Sequence, residues 1–195
     1  NAKSDLAWVS ENFNKSGKER AFENAGLMMD GKYYTYKSIP NYTGKYTTLG
    51  DIVLGADEPE LRKTITEDFY IKDSDREKWK RFKDAKKEPR TNKKTGISYM
   101  YSEGAMAFPD ALDKPSRTLI TSEGTKSANR CTHVIEDVVN GRLRRLVPIE
   151  LERLDMFPDN HTEGESPEKR AFFMGNALVC GIVERIGAEL HDRLK

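Results

Sequence analysis

Residues 144–159 read RRLVPIELERLDMFPD, and the way this stretch folds decides how the rest of the chain is read. Pro148 follows Val147 and opens a run in which Ile149, Leu151, Leu154 and Met156 can supply one apolar face. Proline at a first helical position loses no backbone hydrogen bond and already has a helical φ, so it marks a start. The spacing predicts a helix that ends near Phe157-Pro158-Asp159. A polar loop follows, NHTEGESPEK at 160–169, and then Met174-Gly175-Asn176-Ala177. Beyond it, Ala177, Ile182, Val183, Ile186 and Leu190 fall mostly at helical spacings and predict a final helix.

Upstream of Gly141 the character changes. Residues 1–20 are polar and predict loose order, and 21–54 read as short strands with turns at Asp30-Gly31 and Thr43-Gly44. KYYTYKSI at 32–39 alternates as a strand does, and ISYMYSEGAMAF at 97–108 looks extended. RTLIT at 117–121 and CTHVIEDVV at 131–139 are β-rich runs joined by a Ser/Gly/Asn loop, which predicts a hairpin or a looped strand pair. The expected class is α+β, with strands before residue 141 and helices after it.

Composition sets outer limits. The 195 residues are 36% hydrophobic and 33% charged, with 9% aromatics, which fits one to two soluble domains with a modest core. The longest apolar stretch, AFFMGNALVCGIV at 171–183, falls short of the roughly 20 residues a membrane span requires. The chain opens on Asn1 with no basic segment leading into an apolar one, and is expected to be a fragment. Cys131 and Cys180 are too few for a disulfide framework and lack CxxC spacing, so a reducing, cytoplasmic compartment is expected.

Balanced charge hides an uneven distribution. Residues 76–94, REKWKRFKDAKKEPRTNKK, hold ten Lys/Arg against three Asp/Glu within a chain whose net charge is +1. Such a block is often a solvated helix face or a flexible loop. Here Trp79 and Phe82 stand three apart, giving a helix one anchoring stripe and leaving Lys80, Arg81, Lys83, Lys86 and Lys87 to point outward. An ordered, basic, aromatic-anchored projection is a common way to present phosphate contacts.

Other chemistries find little support. His133, His161 and His191 lack metal-ligand spacing, and no HExxH, Gly-rich phosphate loop or GxSxG occurs. The carboxylate pairs Glu150/Glu152 and Glu136/Asp137 have no identifiable catalytic partner.

The C-terminal stretch is more specific. Arg144, Leu146, Glu150, Arg153, Phe157 and Pro158, followed by Gly175-Asn176-Ala177, closely resemble motifs IX and X of the DNA (cytosine-5)-methyltransferases, whose pattern runs Arg-x-Leu-Thr-x-x-Glu-x-x-Arg-x-x-x-Phe-Pro and then Gly-Asn-Ala/Ser. Val147 stands where the family usually has Thr, and Asp155-Met156 where it has Gln-Gly. Tyr101–Asp110, Lys114–Gly124 and Arg130–Val134 look like the target recognition domain of one branch of the family, and so does Ala21–Met28. The family's Pro-Cys nucleophile, Phe-x-Gly-x-Gly loop, Glu-Asn-Val and Gln-x-Arg-x-Arg segments are absent, since Cys131 follows Arg130 and Cys180 follows Val179.

The resemblance implies a DNA recognition part of an enzyme that moves a methyl group from S-adenosyl-methionine to C5 of a flipped cytosine in duplex DNA. It implies a small, irregular, mostly-β recognition domain at 1–140, and motif IX and X helices at 141–195 that normally pack on a Rossmann-like methyltransferase lobe. Gly175, Asn176 and Ala177 would contact the cofactor. Thr118-Leu119 matches the family's Thr-aliphatic pair, with Arg117, Thr121, Ser122 and Arg130 as candidate base or phosphate contacts. Lys80, Lys83, Lys86, Lys87 and Arg90 are assigned to phosphates. Arg144, Glu150 and Arg153 would brace the recognition domain against the main lobe through ion pairs, or form a solvated helix face. The expected partners are double-stranded DNA and a catalytic lobe, in a bacterial cytoplasm, with no membrane. The competing class is a stand-alone DNA-binding or regulatory module, which would have no use for a cofactor-contacting Gly-Asn-Ala.

Overall fold

The computed structural model describes residues 23–30 and 32–195. It divides into two compact units, Asn1–Lys45 and Tyr46–Lys195. In the first, β1 (Ala25–Met29) pairs antiparallel with β2 (Lys32–Tyr36), and the turn residue Asp30 has φ 50°. The expected strand and turn are therefore present. Gly31, the polar stretch 1–20 and the Ala21-Phe22 part of the family-like segment lie outside the described residues.

The second unit starts with a 3-10 turn at Leu49–Asp51 and a short helix α1 (Pro59–Arg62). Two further 3-10 turns lead into α2 (Arg76–Lys83), which is followed by β3 (Lys86–Thr91), β4 (Ser98–Glu103), β5 (Ile135–Glu136) and β6 (Leu143–Arg144). Helices α3 (Pro148–Leu154), α4 (Pro167–Met174) and α5 (Cys180–Arg193) close the chain. The described sheets are all two-stranded antiparallel pairs, β1 with β2, β3 with β4 and β5 with β6. Mixed small sheets and helices make the class α+β.

Pro148 does open a helix, as its position predicts, but α3 stops at Leu154, before Phe157. The 117–121 run forms no strand. Its polar groups are taken up otherwise: Ser116 Oγ lies 2.9 Å from His133 Nε2, and Arg117 donates to the Thr132 carbonyl at 2.7 Å. β-branched residues favour a ladder only where a neighbouring strand supplies one.

The core crosses the 140/141 boundary expected between recognition domain and helices. Leu49, Val53 and Ile135 pack in one cluster with Leu146, Leu151, Ala171 and Met174. A second cluster joins Trp79, Cys131 and Val134 to Leu143.

Burial of charge is the other feature of this unit. Arg144 is fully buried, and its guanidinium donates to Asp137 Oδ2 at 2.6 Å and to both carboxylate oxygens of Glu150 at 2.7 and 2.8 Å. Glu150 in turn accepts from the backbone N–H groups of Leu54 and Val147, each at 2.9 Å. Arg62 completes the set on Asp137 at 2.7 Å. Burial alone would raise the Asp137 carboxyl, but Arg62 and Arg144 outweigh it and hold it at about 2. The expectation that Arg144 and Glu150 reach outward, to another lobe or to solvent, is thus corrected: they tie β6, α3 and the loop at Leu54 together inside the unit. Arg153 is likewise spent internally, on Glu58 and Asp159.

Candidate functional site

Motif X folds differently from a helix start. Gly175 caps the C-terminal end of α4 with φ −65° and ψ −13°. A Cβ built there would lie 2.4 Å from the backbone carbon of Ile120 and the nitrogen of Thr121, so the residue must be Gly because another backbone crosses directly over it. The crossing brings the 117–121 segment onto the Gly-Asn-Ala turn. Asn176 is exposed, and its amide donates back to the Phe172 carbonyl at 2.9 Å. Ala177 packs partly against the core.

Thr118, Leu119, Gly175 and Ala177 therefore line one open groove of about 970 Å³, together with the end of α3 and one face of α5. Residues assigned separately to DNA and to cofactor are neighbours here. Helix α5 contributes no buried residue, and Ile182, Val183, Ile186 and Leu190 along it are all exposed. Among the described residues nothing covers this stripe, and exposed apolar patches of that kind are characteristic of interaction surfaces.

Asp155 also lines this groove and was not anticipated. It is only 6% exposed, its Oδ2 has no hydrogen-bond partner, and burial pushes its carboxyl up to about 6. The available signal was its departure from the family pattern, which has a neutral Gln at this position.

The remaining candidates divide sharply. Arg117 is held by Asp110 at 2.5 Å and Ser122 donates to the Arg130 carbonyl at 2.8 Å, whereas Thr121 and the Arg130 side chain are exposed. In the basic block, Trp79 is buried as expected, and Lys80 and Lys87 are exposed. Lys83 is not available to phosphate, which corrects that assignment. It is 2% exposed, its Nζ donates to the Cys131 carbonyl, and burial lowers its pKa. Lys86 pairs with Glu103 at 3.1 Å and Arg90 with Glu88 at 2.6 Å.

Cys131 is not placed as an activated nucleophile. Cys131 is buried, its thiol donates to Glu123 and to the His133 carbonyl, and burial with the nearby Glu123 carboxylate pushes it up to about 12. Among the described residues no His/Cys/Asp/Glu cluster is arranged to hold a metal ion, and no helix is long and apolar enough to cross a membrane.

The chain is 39% identical over 186 residues to the type II methyltransferase M.Sau3AI of Staphylococcus aureus, an overlap that covers 95% of this chain and 40% of that protein. It thus spans well under half the length of that relative. No solved structure matches the chain. The family profile for C-5 cytosine-specific DNA methylases matches residues 11–192, and the chain belongs to that family.

Proposed function

We propose that this chain is the DNA recognition part of a DNA (cytosine-5)-methyltransferase, and that the catalytic thiol and most of the S-adenosyl-methionine site are carried by a separate lobe that packs on α5. The observation that carries this reading is the groove beside Gly175. It combines motif X, the Thr118-Leu119 pair and an uncovered apolar helix face in one surface. A module that only bound DNA would have no reason to keep such a face open to water.

The residues present fit a partial cofactor contact. A side chain on Gly175 would meet the Ile120–Thr121 crossing, so this glycine shapes the turn while its backbone lines the groove. Ala177 lines the groove and Asn176, the preceding residue, is exposed, so both can meet a cofactor held mainly by the other lobe. S-adenosyl-methionine supplies the methyl group. Attack on C6 of cytosine needs a thiolate, which Cys131 cannot provide while burial holds it neutral. The cytosine must also leave the stack to be reached. Lys80 and Lys87 are free for phosphates, whereas Lys86 and Arg90 would have to leave carboxylate partners.

A methyl-transfer assay with labelled S-adenosyl-methionine on mixed-sequence duplex DNA tests this. The chain alone should transfer nothing, and the chain mixed with a catalytic-lobe polypeptide of the same genome should transfer methyl groups. Transfer by the chain alone would overturn the reading of Cys131 and Cys180. Duplex binding with no transfer by either preparation would favour a stand-alone binding module.

A further inference from the structure

We infer that the β3–β4 ribbon reads base edges in the DNA major groove with one of its two faces, the face carrying Lys87, Thr91, Ser98, Met100 and Ser102. This rests on the recognition reading above and identifies the reading surface within it. Every residue from 87 to 100 is exposed, so the ribbon projects from the unit as a two-stranded arm. Two antiparallel strands with their side chains are about as wide as the roughly 12 Å major groove of B-form DNA, which admits such a ribbon.

The register separates the faces. Lys86 lies opposite Glu103, Glu88 opposite Tyr101 and Arg90 opposite Tyr99, so these six share one face. That face is closed on itself: Lys86 pairs with Glu103, Arg90 pairs with Glu88 and lies 3.5 Å over the Tyr101 ring, and the Tyr101 hydroxyl donates to Glu103 at 3.2 Å. Two carboxylates there would also repel phosphate.

The opposite face pairs Lys87 with Ser102, Pro89 with Met100 and Thr91 with Ser98. It has no carboxylate. Three hydroxyls and one ammonium offer donors and acceptors, and the Met100 thioether chain is an apolar surface suited to a thymine methyl group. The Thr91 and Ser98 hydroxyls lie 3.1 Å apart, so they are presented as a fixed pair. At the tip Lys93 and Lys94 are exposed and make no ion pair among the described residues, which places two free charges where the arm would meet phosphates.

The root of the arm is rigid. Lys83, buried three residues before β3, donates to the Cys131 carbonyl, and the Met106 N–H, three residues beyond β4, donates to the Lys83 carbonyl at 2.7 Å. The lysine lost to phosphate binding thus anchors the element that does the reading.

The test is selection of bound sequences from a randomised duplex pool by the full 195-residue chain, with affinities measured across a salt series. The wild-type chain should recover a defined motif. Ser98→Ala combined with Met100→Ser should change or flatten that motif, while Tyr101→Phe on the closed face should leave it intact. Lys93→Gln with Lys94→Gln alters only the loop and should lower the salt dependence by about 2 in log–log slope without changing the motif. A wild-type motif unchanged by the Ser98/Met100 variant would overturn the ribbon assignment and leave the recognition reading standing. Recovery of no motif by the wild type would overturn both. Equal competition by duplex RNA, whose major groove is too narrow for a ribbon, would overturn groove insertion.

Discussion

The segment around α3 and the ribbon of β3 and β4 are both dense in charge, yet their charges do opposite things. Around α3, Arg144, Glu150 and Asp137 are buried and bonded to one another, and buried Glu152 accepts from the Thr162 N–H and pairs with Arg170, so charge there builds the scaffold. On the ribbon, Lys87, Lys93 and Lys94 are exposed and make no ion pair among the described residues. A charged residue therefore says little about function until its burial and partners are known. The contrast can be broken most directly at Arg144. Arg144→Ala leaves Asp137 and Glu150 as uncompensated buried carboxylates, and should cost about 3–5 kcal/mol of stability in urea unfolding. A loss under 1 kcal/mol would show that this network is not built as described.

Lys83 and Lys87 sharpen the same comparison, because they stand four residues apart in one basic run. Lys83→Ala removes a buried stem and leaves the Cys131 carbonyl without its donor, so it should cost about 2 kcal/mol. Lys87→Ala should change stability by no more than about 0.5 kcal/mol and weaken duplex binding instead. The measurements are paired: a melting curve and a DNA titration for each variant. If Lys83→Ala left the fold intact and weakened DNA binding as Lys87→Ala does, the two lysines would be equivalent.

Two aspartates extend the contrast to pH. Asp137 sits low, at about 2, because arginines hold its ionised form, so its contribution is present above pH 4 and fades as pH falls towards 2. Asp155 sits high, at about 6 against an ordinary 3.8, with no partner to offset burial. Its stabilisation belongs to the protonated form, is complete below pH 4, and is lost as pH rises through 6. At pH 7.5 the ionised carboxylate is a liability. Asp155→Asn should therefore stabilise the chain by about 1–2 kcal/mol at pH 7.5 and have little effect at pH 4. Thermal melts at the two pH values check it, and a gain of the same size at both would refute the titration.

How far the sequence reached follows the same division. The start of α3 was legible at Pro148 because proline carries its own backbone conformation, and α5 was legible because its apolar residues repeat at helical spacing. What covers α5 was not legible, since periodicity says that a face is apolar and not what meets it. Lys83 was misread because side-chain type alone does not distinguish a buried anchor from a solvated charge among ten similar residues. The 117–121 run was misread as a strand because β-rich composition cannot supply a partner strand. Gly175 was expected to contact the cofactor, whereas the backbone that crosses it, the Ile120–Thr121 segment, lies more than 50 residues upstream and no local pattern names it.

The smallest effect lies at Met156, where the scaffold departs from its own family. The residue follows the Asp155 cap of α3 with φ 62°, the left-handed position at which glycine normally ends a helix. Two bonds close the turn: the Met156 N–H donates to Arg153 and the Phe157 N–H to Glu152. A side chain in this conformation costs about 1 kcal/mol, which glycine avoids, although glycine gives back part of that in unfolded-state entropy. Met156→Gly should thus stabilise by about 0.5 kcal/mol in chemical denaturation. The Met156 sulfur also fills the space where a Cβ on Gly181 would lie, 2.6 Å away. Gly181→Ala alone should then gain little, since the helix preference for alanine is opposed by the Met156 contact. In the Met156→Gly background that contact is gone, and the alanine should gain a further 0.5–1 kcal/mol. A double-mutant cycle with no coupling would mean that the Met156 side chain swings clear at no cost, and that the left-handed turn alone accounts for the family's preference for glycine.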